Sequence, residues 1–101
     1  MKKTKFYIYG FFGGKKPQAR QVNGYFEFID GVPLGLHKPE KETCWAVTEL
    51  STGLRITDGQ TRQKALDNVL EFLPRVRAEI GQDKDRFKKV KEIIQAAYKA
   101  G

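Results

Sequence analysis

The chain has 101 residues, 40% of them hydrophobic and 31% charged, with a net charge of +7 and a single cysteine. One domain is expected, burying roughly 65% of its unfolded surface, enough for a core without staples. A lone cysteine excludes an internal disulfide framework and fits a reducing, cytoplasmic setting, and no run approaches the ~18 apolar residues of a membrane span.

The opening stretch, MKKTKFYIYGFFGGKK, starts like a secretion signal. Its apolar part is short, contains tyrosine and returns at once to lysine, so it reads as a strand. In an extended chain Phe6, Ile8 and Phe12 share one face, and Tyr7, Tyr9 and Phe11 the other. Both faces are largely aromatic, which suits either a central strand or a strand with one face left for a partner. Residues 10–24 follow as a long connection built on a Gly-Gly pair, Pro17 and Asn23-Gly24. This connection carries Lys15, Lys16 and Arg20 and no acid.

YFEFIDGVPLGLH reads as a hairpin, because Asp30-Gly31 suits the positive φ values of a two-residue turn. Pro33 cannot donate to a ladder, which predicts an edge or a bulge for the second arm. HKPEKE is a polar loop. CWAVTELSTGLRI predicts a second hairpin that turns at Ser-Thr-Gly and buries Trp45, Val47, Leu54 and Ile56.

After residue 60 the period changes. Ala65, Leu66, Val69, Leu70, Leu73, Val76 and Ile80 form the apolar stripe of a helix over 61–80. Thr61 is its expected N-cap, Pro74 should kink or split it near Leu73, and Gly81 should end it. A second helix over 83–99, capped by Asp83 or Asp85, presents Phe87, Val90, Ile94, Ala97 and Tyr98 on one side. Strands first and helices last predict an α+β fold: a four- or five-stranded antiparallel sheet with two C-terminal helices on one face.

Chemistry-bearing groups are sparse. His37 is expected at the surface and Cys44 as an inert core thiol, with no motif joining them. One His and one Cys are too few for a metal. GFFGGKK lacks the spacing and the hydroxyl of a phosphate-binding loop. A non-catalytic protein without metal or cofactor is therefore expected.

Charge points instead to binding. Residues 1–24 carry six bases and no acid, residues 25–60 are net acidic, and residues 61–101 are basic again. On the second helix Lys84, Lys88, Lys91 and Lys99 fall within about 80° of one another at 100° per residue. Such a ridge can follow a phosphate backbone. Tyr7 and Tyr9, set among lysines, suit stacking against unpaired bases, and equally suit a protein interface.

The segment WAVTELSTGLRITDGQTRQKAL, residues 45–66, resembles a pattern in small proteins of phages and mobile elements. There a Trp-led hairpin with a Thr-Gly turn enters a helix beginning Thr-Arg-x-x-Ala. It is distantly similar to the sheet-helix unit of HicB-type antitoxins, whose DNA-binding module has no counterpart here. The resemblance implies a sheet-to-helix fold and a mobile-element origin, and no activity.

The expected function is thus a small nucleic-acid binder of a phage or mobile element. Lys15, Lys16, Arg20, Lys84, Lys88 and Lys91 would contact phosphates, with Tyr7 and Tyr9 as stacking rings. The rival is an inhibitor that docks on an acidic surface of a host protein, such as a nucleic-acid-binding defence component, using the aromatics with Glu40, Glu42 and Glu49. A homodimer formed through an edge strand is a third expectation.

Overall fold

The computed structural model describes residues 2–11, 14, 16–82 and 84–100, with backbone alone for 77, 79–82 and 84–86. Five strands come first: β1 (Lys2–Gly10), β2 (Gln18–Ile29), β3 (Val32–His37), β4 (Trp45–Glu49) and β5 (Leu54–Gly59). Two helices follow, α1 (Arg62–Gln82) and α2 (Lys84–Ala100). Each strand pairs antiparallel with the next, giving the sheet order β1-β2-β3-β4-β5. The expected α+β arrangement is the one observed. Neither helix of the described residues is long and apolar enough to cross a membrane.

Local chemistry accounts for the turns. Asp30 and Gly31 have φ values of 50° and 79° and bring Ile29 opposite Val32, as a primed hairpin turn requires. Between β4 and β5 the buried Glu49 carboxylate organises the chain. One oxygen accepts from the Ser51 N–H and hydroxyl at 2.9 and 2.5 Å, the other from the Thr52 N–H and hydroxyl at 3.0 and 2.6 Å. Four donors make an interior carboxylate tolerable. Gly53, at φ 70°, then reverses the chain.

Two expectations are corrected here. Residues 18–24 are not part of a connection; they are the first half of β2, paired with β1 along its whole length. Pro33 does not mark an edge, because β3 lies between β2 and β4. The β3–β4 pairing runs out at Leu34–Glu49, and the Pro33 carbonyl accepts the Leu50 N–H at 3.0 Å. The N–H that proline lacks therefore falls beyond the end of the neighbouring strand.

The main core lies on the outer face of the sheet. Leu34, Leu36 and Val47 meet Ala65, Val69 and Leu73, which recur every fourth residue along one side of α1. Thr61 caps α1 as expected, its hydroxyl accepting the Lys64 N–H at 3.0 Å. Neither Pro74 nor Gly81 ends this helix. Pro74 and Leu70, whose carbonyl it leaves without an intrahelical donor, are both exposed, so water can take that bond. Of the two expected caps for α2, Asp83 lies outside the described residues and Asp85 lies within the helix.

The inner face is built around Phe6, which is 1% exposed. Its ring lies over Gly35, where a Cβ would sit 2.7–2.8 Å from three of its atoms. At Gly24 a Cβ would come within 2.0 Å of the Leu36 carbonyl oxygen and 2.8 Å of the same ring. The sheet curls until β1 reaches the turn before β5, and the Tyr9 N–H donates to the Gly53 carbonyl at 2.7 Å. α2 covers this seam. Ile94 packs at Gly53, and the Tyr98 hydroxyl accepts the Tyr7 N–H at 3.1 Å. Half of the outer edge of β1 is thus already bonded within the chain, which narrows any edge-to-edge pairing with a second copy to the Lys2–Lys5 half.

The two glycines under Phe6 should respond differently to substitution. Gly24→Ala drives a methyl into a backbone carbonyl, which cannot step aside, and should cost about 1–3 kcal/mol or more. Gly35→Ala meets the Phe6 ring first, so combining it with Phe6→Leu should recover part of its cost. Urea unfolding of the single and double variants measures both effects; equal costs without coupling would contradict this packing.

Candidate nucleic-acid interface

β1 supplies a basic edge. Lys2, Lys3 and Lys5 are exposed, and the strand carries no acid. Alternation divides them between the two faces of the sheet. Lys2 pairs with Phe26 on the inner face, while Lys3 pairs with Tyr25 on the outer one. Lys3, Lys5 and Tyr25 line a surface groove of about 530 Å³.

At the far side of Tyr25 stands Arg62, the first residue of α1. Its guanidinium lies 4.6 Å from the centre of the Tyr25 ring and 5.6 Å from that of Trp45, the two rings being 6.0 Å apart. The Thr61 cap sets where the helix begins, and with it the position of Arg62 over the starts of two strand pairings. Among the described residues Arg62 forms no ion pair. Its charge is held in place by two rings, an attraction of about 0.5–1 kcal/mol at an exposed site, and its planar donor fork is not taken by a carboxylate. The first turn of α1 contains no acid that would offset it.

On the inner face Phe26 and Phe28 lie side by side with ring centres 6.5 Å apart and planes 23° from parallel. Phe28 is 57% exposed and Phe26 37%. Two rings at i and i+2 on one strand, open to solvent beside Lys2, form a flat apolar surface with a cation at its border.

The residues expected to contact nucleic acid are distributed over more than one region. Tyr7 and Tyr9 are half-buried, and the Tyr7 ring packs edge-on against Tyr98 at 4.9 Å. Arg20 sits on β2 opposite Ile8 and lines a cleft together with Tyr9. Lys16 is exposed between β1 and β2, whereas Lys15 lies outside the described residues. On α2, Lys88 is exposed and Lys91 half-buried; Lys84 opens the helix, with its side chain outside the described residues. Sequence reasoning missed Arg62, Tyr25, Trp45, Phe26 and Phe28. The alternation in YFEF was a usable signal for the last two, but nothing local pairs residue 62 with 25 and 45. Of the acids assigned to a protein interface, Glu49 is interior and Glu42 is engaged by Arg55.

The cleft holds the remaining polar chemistry. Arg55 donates to both oxygens of Glu42, at 3.0 and 3.1 Å, and to Asp58 at 2.9 Å. The Glu42 hydrogen bonds, helped by Asp58, push the guanidinium pKa upward against the opposing effect of burial, and Arg55 in turn holds the Glu42 carboxyl below its usual range. His37 is not at the surface as expected; it is 8% exposed, with its ring edge-on to Phe6 at 5.8 Å. Curling of β1 over the inner face covers it. Cys44, expected in the core, is half-buried instead, its thiol 3.6 Å from Glu42 and from Arg55. Among the described residues no group of three or more His, Cys, Asp or Glu side chains could hold a metal ion. No family model, curated protein or solved structure matches the chain.

Burial, reinforced by Arg55 and partly opposed by Glu42, lowers the His37 pKa below 6.5. The unfolded chain therefore binds this proton at a higher pH than the native state does. The contribution of neutral His37 is complete above about pH 6.5 and is lost as pH falls toward the lower native value. Urea midpoints should accordingly drop between about pH 7 and 5 in the wild type, and His37→Gln should flatten that slope. Glu42 adds a separate slope only below its ordinary value of 4.5. A wild-type profile already flat above pH 5 would contradict the assignment.

Proposed function

We propose that the protein is a small, non-catalytic binder of single-stranded nucleic acid. The observation that carries this reading is the exposed Phe26–Phe28 pair beside the acid-free lysine edge of β1. Exposed rings suit unpaired bases, which have faces to stack, and lysines alongside suit the phosphates between them. Arg62, stacked on Tyr25 and Trp45 next to Lys3, adds a phosphate contact from the outer face. Lys16, Lys88 and Lys91 extend the positive field and raise encounter rates without needing to touch the same nucleotide. Service to a phage or mobile element, in a cytoplasm, rests on the resemblance of residues 45–66 and on the single cysteine.

A second reading is a protein-binding inhibitor of a host defence component. The same Phe26–Phe28 surface favours it, since aromatic residues are enriched at protein interfaces. The interior position of Glu49 removes one of the acids it would have used.

Salt separates the two. Labelled single- and double-stranded oligonucleotides titrated at two salt concentrations should show preference for the single strand. The log–log slope should be about −0.7 per phosphate contact. Replacing both Phe26 and Phe28 by Ala should weaken binding roughly 30-fold or more, since each base–ring stack contributes about 1–3 kcal/mol. Arg62→Ala should reduce affinity and make the salt slope shallower by about one contact. Absence of oligonucleotide binding at low salt overturns the proposal and directs the test to nuclease-treated host lysate.

A further inference from the structure

The cleft on the inner face has a volume of about 540 Å³, inside the ~300–1,000 Å³ of small-molecule sites. Its floor contains His37 and Thr48, 8% and 1% exposed. They are diagonal neighbours, since His37 pairs with Ala46 and Gly35 with Thr48. His37 Nδ1 and Thr48 Oγ1 are both shut off from solvent, and neither has a hydrogen-bond partner. Buried polar atoms are nearly always bonded, because leaving one unbonded forfeits its hydration without return. Here two such atoms lie at the bottom of one cavity.

The rest of the cleft has a definite polarity. Ile8 and Val22 supply one apolar wall, while Arg20, Lys38 and Glu40 stand among its polar lining. The Arg55 charge is already matched by Glu42 and Asp58. A floor of neutral donors and acceptors beside an apolar wall suits an uncharged polar ring; Lys38 at the border suits an anionic substituent on that ring.

We infer that this cleft is a nucleotide pocket, taking one unstacked base against Ile8 and Val22 onto the His37–Thr48 floor with its phosphate toward Lys38. Neutral His37 offers one donor and one acceptor, and the Thr48 hydroxyl serves as either, so the ring edge of a base can satisfy both. Because both atoms are shut off from solvent in the structure, the ligand's bonds to them require rotation of Thr48 about χ1 and of the His37 ring. As an extension of the strand-binding reading, it gives the bound strand a site at which one of its bases leaves the stack.

The test uses isothermal titration of the full chain with each of the four ribonucleoside monophosphates, for wild type, Thr48→Val and Thr48→Ser. At least one nucleotide should bind the wild type. Thr48→Val should weaken it about tenfold, the loss expected for one hydrogen bond to the ligand, while stability in urea is unchanged or higher. Thr48→Ser, which restores the hydroxyl, should recover most of the affinity. Failure of every nucleotide to bind, or equal binding by Thr48→Val, overturns the inference. So does a loss of stability in Thr48→Val, which would mean the hydroxyl is bonded within the protein. If oligonucleotides bind while nucleotides do not, the pocket falls and the strand-binding reading stands. If nucleotides bind in the Thr48-dependent way while oligonucleotides do not, the pocket stands for free nucleotide and strand binding falls.

Discussion

The placement of the Phe6 ring on Gly35 and Gly24 is the constraint from which the rest of this structure follows. A phenyl ring can lie flat on a sheet only where the residues beneath it have no side chains, and β2 and β3 each supply one such position. With the ring seated there, the first strand bends inward over the third. That bend carries the Tyr9 N–H to the Gly53 carbonyl and leaves a seam that α2 covers with Ile94 and Tyr98. It also gives the sheet two covered faces. Leu34, Leu36 and Val47 are buried under α1, while Ala46, Thr48 and His37 are buried on the inner side. β3 and β4 are therefore enclosed from both directions although only one layer of helix is present.

Burial on the inner side has a consequence for chemistry. An outer face under an amphipathic helix can be filled by leucine and valine, as it is here. The inner face is roofed by one aromatic ring and by strand curvature, so it closes incompletely and leaves a cleft beside the ring. Polar groups occupy that border, and most are bonded: Arg55 to Glu42 and Asp58, and nearby the Glu49 carboxylate to the turn it organises. His37 Nδ1 and Thr48 Oγ1 are the exceptions among the described residues. In the same region the Arg55–Glu42 pair ties the loop before β4 to β5, so the cleft wall is fixed by charge where it lacks apolar contact.

Charge and aromatic surface are arranged by the same geometry. The lysines of β1 alternate between faces, so one edge strand borders two different aromatic surfaces. Phe26 and Phe28 stay open to solvent on the inner face. Tyr25 and Trp45, on the outer face, are covered by the Arg62 guanidinium at the point where α1 begins. A polyanion approaching the β1 edge thus meets cations on both sides of it.

What the sequence determined alone was local. Asp30-Gly31 specified a primed turn, Ser-Thr-Gly the second turn, Thr61 a helix start, and the change of apolar period the order of strands before helices. Each depends on φ preferences, side-chain-to-backbone bonds or spacing within a few residues, all of which a linear reading contains. Residues 18–24 were misread because their glutamines, asparagine and glycine look like turn material. Their strand identity comes from partners 8 to 20 residues away on β1, along a half of β2 that shows polar side chains to water. Pro33 was tolerated in a central strand because β4 ends beside it. Tertiary structure decided which rings are core, platform or seam. It also buried His37, left Cys44 half-buried and brought residues 25, 45 and 62 together. The physical reason is common to all of these: one ring packing on two glycines sets the curvature of the sheet, and curvature decides which side chains keep their water.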